Sequence, residues 1–268
     1  MMLINGVATS QLAADDRGLA FGDGVFRTLE CRHARPCLWD WHWACLQRDA
    51  AQLGLPLPDA SVLLAELALV AAGLPRAVAK ITLTRGSAPR GYAIPADPVP
   101  TRIVAARGWG GYPEHWGRDG VALGWSEVRL GLQPLLAGVK HLNRLENVLA
   151  RSRMAAEVQE ALLCDSEGTV VEGTQTNLFV RLDGHWLTPA LDRCGVAGAV
   201  RSWMMAQQPV QEVRLMPAQL ARAELLVLGN SLAGLWPVAS LDGRQWSDFA
   251  LLRPLQQALA RDSAPQTP

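Results

Sequence analysis

Lys80 and Lys140 are the only lysines among twenty-five basic residues, the rest being arginine. Arginine stays protonated at any working pH, whereas a lysine amine can shed its proton and attack a carbonyl, so Schiff-base chemistry cannot be handed to arginine. Lys140 is the better placed of the two. It sits in Gly138-Val139-Lys140-His141-Leu142-Asn143-Arg144-Leu145-Glu146-Asn147, just before a helical pattern, while Lys80 falls in an alternating strand pattern. The competing reading, a solvated lysine, applies to both and more heavily to Lys80.

A lysine serving pyridoxal phosphate needs partners for a phosphate and a pyridinium nitrogen as well as for the aldehyde. Two small-residue turns, Gly195-Val196-Ala197-Gly198 at a helix start and Gly229-Asn230-Ser231, can aim backbone N–H groups and a hydroxyl at an anion, and each also reads as an ordinary turn. Glu172, at the end of the Val170-Val171 strand, can keep a ring nitrogen protonated; an exposed strand-end glutamate is the alternative. Other chemistries lose support. The chain has no Walker A sequence, no GxGxxG after a strand, no HExxH and no GxSxG, and its five histidines show no metal-ligand spacing on one helix.

The elements that must position these residues are visible as patterns. Asn5-Gly6 between apolar residues predicts a tight hairpin joining 3–5 to 7–9. Strands are predicted at 25–32, 78–84 and 101–106, and helices at 40–53, capped by Asp40 and ended by Gly54, and at 59–72. Residues 85–92, rich in Gly and Pro with two arginines, read as a binding loop, and 108–120 as a linker between lobes. Beyond it come strands at 121–128, 161–164, 170–172, 178–181 and 223–228, and helices at 145–158, 196–205 and 248–260. The tail from Asp262 has little to bury.

Composition narrows the class of partner. Acidic and basic residues balance at 25 each with no basic run, so neither nucleic acid nor an anionic membrane surface is expected, and a small-molecule substrate is. Five cysteines without a CxxC pair argue against a disulfide framework or a zinc site and fit a reducing cytoplasm. The N-terminal residues lack a basic segment followed by a long apolar one, and no apolar run reaches the length of a membrane span, so neither secretion nor insertion is expected.

Lys140-His141-Leu142-Asn143-Arg144-Leu145-Glu146, followed by Asp165-Ser166-Glu167-Gly168-Thr169-Val170-Val171-Glu172-Gly173 and Thr176-Asn177-Leu178-Phe179, resembles the signature of fold-type IV pyridoxal phosphate enzymes. That family includes branched-chain and D-amino-acid aminotransferases and aminodeoxychorismate lyases. Asp16-Arg17-Gly18-Leu19-Ala20-Phe21-Gly22-Asp23-Gly24-Val25-Phe26 and Thr84-Arg85-Gly86 extend the likeness over most of the chain, and the Lys-His-Leu-Asn-Arg-Leu-Glu form is most like the lyases.

The resemblance implies an α+β fold of two lobes with the cofactor between them. A small N-terminal domain would occupy 1–108, a linker 109–120, and a larger cofactor-binding domain with a barrel-like sheet 121–268. It further implies a homodimer, a small-molecule substrate (aminodeoxychorismate for the lyase branch) and a set of roles. Lys140 would be the Schiff-base lysine and catalytic base, and Glu172 the partner of the ring nitrogen. Val196 and Ala197 main-chain groups and the Asn230-Ser231-Leu232 turn would hold phosphate. Arg90 and Tyr92 would bind substrate carboxylates on a loop that Arg85 structures or joins, and Thr28 would lie near the reacting side chain. One departure stands out: the family's phosphate arginine, three residues after the histidine matching His42, is Cys45 here, and Arg48, one turn on, is expected to reach in its place.

Overall fold

Asn5-Gly6 makes the turn its residue types favour, with φ of 50° and 82°, and joins β1 (Met2–Ile4) to β2 (Val7–Ala8). The computed structural model describes residues 1–88 and 91–264. Two units are distinct: one of Met1–Gly110, Val139–Asn143 and the residues from Asp262, the other of Gly111–Gly138 and Arg144–Arg261.

The first unit continues with α1 (Arg17–Phe21), β3 (Gly24–Arg32), β4 (Arg35–Pro36), α2 (Trp39–Leu53), α3 (Ala60–Val70), β5 (Arg76–Thr84) and β6 (Thr101–Gly108). Its six strands form an antiparallel sheet ordered β2-β1-β6-β5-β3-β4. Alternation sends Leu29, Cys31, Ala79, Ile81, Leu83 and Val104 to one face, where they bury with Leu46, Ala50, Leu63 and Leu67 of α2 and α3. Each leucine so removed from water contributes about 1.5–3 kcal/mol. Phe26, Thr28, Lys80 and Thr82 take the opposite face, with Thr28 directly across from Lys80 and Phe26 across from Thr82.

Asp40 does not cap α2. The helix starts at Trp39 behind Leu38, which has a φ of 53° and makes no side-chain cap, leaving Asp40 in the first turn, where its charge complements the helix dipole. Gly54 ends the helix in the left-handed conformation that its residue type favours.

The second unit holds α4 (Glu114–Asp119), within the stretch read as a linker, then β7 (Val121–Leu130), α5 (Leu145–Ser152), β8 (Glu160–Asp165), β9 (Val170–Gly173), β10 (Asn177–Leu182), β11 (His185–Pro189) and α6 (Ala199–Gln207). There follow β12 (Val210–Val213), α7 (Pro217–Leu220), β13 (Leu225–Asn230), β14 (Gly234–Leu241), β15 (Arg244–Gln245) and α8 (Arg253–Asp262). Nine strands make a mixed sheet ordered β12-β11-β10-β13-β14-β7-β8-β9, with β15 paired to β14. The sheet curls until its edges meet: the Val170 N–H of edge strand β9 donates to the Leu215 carbonyl, just past the opposite edge strand β12, at 2.8 Å. The architecture is α+β, with a barrel-like sheet in the C-terminal half.

Helix bounds differ from those the apolar spacing predicts, the last helix starting only at Arg253, and two of the differences have a visible cause. The one expected over 145–158 stops at Ser152, where Arg151 reaches forward to the Gln159 carbonyl (3.1 Å) and ties the turn that feeds β8. The one expected over 196–205 begins only at Ala199, because the backbone of 196–198 is committed to other partners.

Candidate active site

Lys140 is held by its main chain on both sides. Its carbonyl accepts from the Phe26 N–H at 3.0 Å, and the Leu142 N–H donates to the Gly24 carbonyl at 3.0 Å, so 140–142 adds a short antiparallel bridge to the start of β3. Its N–H donates to Asp49 Oδ2 of α2 at 2.9 Å. The side chain, half-buried, then lies over β3, with Nζ 4.6 Å from the centre of the Phe26 ring. Thr28, two residues along the strand, shares that face.

Behind this face Arg27 points into the core. It is one of the largest fully buried side chains of the protein, and a buried cation needs an acid. Asp49, wholly buried, supplies it as an ion pair, and the Cys45 carbonyl accepts a second guanidinium bond at 3.0 Å. Cys45 therefore occupies a packed, buried position. Arg48, expected to replace the missing arginine, donates to Asp49 Oδ1 through both Nε (3.1 Å) and Nη2 (2.8 Å). His42, buried beside them, has no hydrogen-bond partner at either ring nitrogen among the described residues. Burial first, and then the charges of Arg27 and Lys140, push its pKa down to about 3, so its ring stays neutral.

Arg85 is buried and its guanidinium is engaged inside the fold: Asp23 takes two of its bonds and the Leu53 and Gly54 carbonyls two more. These bonds tie the start of the 85–92 segment to the end of α2. Arg17, which the chemistry-based reading passed over, shares Asp23 and donates to the carbonyls of Gly91, Tyr92 and Ala93 at 3.1–3.2 Å. Tyr92 is exposed, its ring 5.1 Å from that of Phe21. Arg90 lies outside the described residues.

In the second unit Glu172 is buried, not an exposed strand-end acid, and Oε2 accepts from the Val196 N–H at 2.8 Å. The Ala197 N–H donates to the Gly138 carbonyl at 2.9 Å. Both N–H groups expected to face a phosphate thus have partners within the unit. The Asn177 side chain completes the clamp, donating to the Val196 carbonyl (2.7 Å) and accepting from the Gly198 N–H (3.1 Å). α6 starts immediately after, and the first-turn N–H groups of Ala199 and Val200 have no acceptor inside the helix. Asn230 closes its own turn, its Oδ1 accepting from the Leu232 and Ala233 N–H groups at 2.8 and 2.7 Å, with Ser231 at the tip. Asn177 was within reach of sequence reading as part of Thr176-Asn177-Leu178-Phe179; Asp49 had no such signal. Among the described residues no cluster of His, Cys, Asp and Glu is arranged to hold a metal ion.

The first unit thus carries a lysine amine over a phenyl ring, and the second a buried carboxylate beside a glycine-rich helix entry. The chain belongs to the amino-transferase class IV family, whose sequence profile matches residues 24–241. It is 31% identical to the aminodeoxychorismate lyase of Vibrio harveyi over 252 residues, 90% of this chain and 91% of that one. The solved structure of the 4-amino-4-deoxychorismate lyase from Pseudomonas aeruginosa is similar with a TM-score of 0.92 and 41% identity, covering 99% of this chain and all of that one. The D-alanine aminotransferase of Staphylococcus epidermidis is 26% identical over 94% of this chain and 92% of its own length.

Proposed function

We propose that the protein is a pyridoxal-phosphate-dependent 4-amino-4-deoxychorismate lyase, converting its substrate to 4-aminobenzoate and pyruvate for folate synthesis. What supports the reading most directly is Lys140, whose amine shares a sheet face with the Thr28 hydroxyl in a chain similar end to end to two such lyases.

The residues fit the cofactor. Lys140 offers the amine, and Glu172, buried and held through Oε2, offers a fixed carboxylate for a protonated ring nitrogen. Because the Val196 and Ala197 N–H groups are engaged, the phosphate is better served by the first turn of α6 at Ala199 and Val200, together with the Asn230-Ser231-Leu232 turn. Arg48, held through Asp49 with its side chain part-exposed, is the cation we assign to supplement them.

Pyridoxal phosphate, when bound, accepts the electron pair left on the substrate carbon that loses its proton. Lys140, as the free amine, takes that proton from the carbon bearing the substrate nitrogen. Its main-chain bonds to Phe26 and Asp49 fix where the amine starts its swing. Thr28 delivers a proton to the departing enolpyruvyl group as the C–O bond breaks, releasing pyruvate and leaving an aromatic ring. Arg90 and Tyr92 bind substrate carboxylate on the loop whose carbonyls Arg17 holds. Four of the five cysteines are buried and none is in a disulfide, which suits a reducing cytoplasm, and no helix among the described residues is long and apolar enough to cross a membrane. The working form is a homodimer.

Aminodeoxychorismate generated in place by its synthase is the decisive substrate. Equal release of pyruvate and 4-aminobenzoate is expected, and Lys140→Ala should abolish both, along with borohydride fixation of the cofactor at residue 140. The likeness to a D-alanine aminotransferase keeps one alternative open: amino transfer to a 2-oxo acid, with neither product released by cofactor-loaded protein, would replace the lyase reading.

A further inference from the structure

Both lysines of the chain converge on one aromatic ring. Lys140 Nζ lies 4.6 Å from the centre of the Phe26 ring and Lys80 Nζ 4.8 Å from it, so the two nitrogens are within about 10 Å of each other, one screening length at 0.1 M salt. Lys80 reaches this place from β5, directly across from Thr28.

A solvated strand lysine, the reading its sequence context favours, keeps its amine in water or beside an acid. Lys80 has no acid: among the described residues it forms no ion pair, and the nearest acid along the same face of β3, Glu30, is held by Arg32 and Arg76. Although the residue as a whole is exposed, packing around the amine lowers its pKa, and no carboxylate offsets the effect. A partly desolvated cation over an aromatic face, on the same side of the sheet as Thr28 and Thr82, is arranged to receive an incoming anion.

The reaction proposed above supplies one. Its products each carry a carboxylate, so its substrate brings two, and the loop of Arg90 and Tyr92 accounts for only one. We propose that Lys80 is a substrate-binding residue whose ammonium takes the carboxylate of the side chain that leaves as pyruvate. The assignment rests on the lyase reading, and it follows from the Thr28–Lys80 pairing, which sets the cation beside the hydroxyl that protonates that same side chain.

Calorimetric titration of pyruvate and, separately, of 4-aminobenzoate into cofactor-loaded wild type, Lys80→Met and Lys80→Arg reads the site without turnover. Lys80→Met is expected to weaken pyruvate about 10-fold or more, the lower end for a charge-assisted bond, with partial recovery in Lys80→Arg and 4-aminobenzoate unaffected. The KM for aminodeoxychorismate should rise by a similar factor while cofactor absorbance stays unchanged. Equal pyruvate affinity in wild type and Lys80→Met, no measurable pyruvate binding to wild type, or parallel loss of both ligands overturns the assignment. Failure of wild type to release 4-aminobenzoate counts against the lyase reading instead, and the pyruvate titration still decides the anion site.

Discussion

Asp49 holds three partners from one buried carboxylate: the Arg27 guanidinium, the Arg48 side chain and the main-chain N–H of Lys140. Removing it leaves Arg27 charged in the core with only the Cys45 carbonyl among its bonds, and breaking one side of a buried pair costs about 3–5 kcal/mol. Asp49→Ala is therefore expected to lose that much stability in urea unfolding, and Asp49→Asn less, because its amide oxygen can still accept from Lys140. A cost below about 1 kcal/mol for the alanine variant, the size of an exposed ion pair, would show that the network is not a buried one. The two kinds of residue differed in how visible they were from sequence. Lys140 stood out because lysine is scarce in an arginine-rich chain. Asp49 did not, since its importance follows from Arg27 pointing inward, which depends on the side of β3 that α2 covers.

At the scale of elements, α6 shows why a correct periodicity can give a wrong start. Val196 to Met205 is apolar enough to read as one helix, but Asn177 from β10 grips the Val196 carbonyl and the Gly198 N–H, and Glu172 from β9 takes the Val196 N–H. Partners on distant strands outbid the local helical ladder for three residues. Gly198 is needed there for space rather than for conformation: its φ is −77°, but a Cβ would sit 2.6 Å from Asn177 Oδ1. Gly198→Ala should therefore cost about 1–3 kcal/mol, as overpacking does, and weaken cofactor uptake by loosening the turn that fixes Glu172. Adding Asn177→Ala should recover part of the stability and none of the uptake, which a double-mutant cycle with thermal unfolding and cofactor titration would read. A Gly198→Ala protein as stable as wild type would remove the steric argument. The strands β11 and β14 are hard to read for a related reason: each carries a proline, Pro189 and Pro237, that argues locally against sheet, and each pairs with a strand other than its hairpin neighbour, β12 and β7.

For the molecule as a whole, residues 139–143 belong to the first unit although the chain on either side of them belongs to the second. Their bonds to Gly24 and Phe26 account for this, and no local pattern could announce a pairing so distant in sequence. Assembly is a separate expectation, carried by α5. On α5 the residues Leu145, Val148 and Leu149, spaced i, i+3, i+4, form an apolar side that is exposed to 69%, 59% and 40%. Leu135, in the segment tied back to α5 by the bond from the Gly131 N–H to Glu146, is exposed to 72%. A contiguous apolar patch on a water-facing helix marks a contact with another molecule, and a second copy of the same chain, bringing the same patch around a two-fold axis, is the simplest complement. Light scattering at micromolar concentration should accordingly return twice the mass of the chain. Val148→Glu combined with Leu149→Glu should return the chain mass with the fold intact by circular dichroism, since neither side chain is part of a buried core. A monomeric wild type, or a dimer that survives both glutamates, would place the interface elsewhere or remove it.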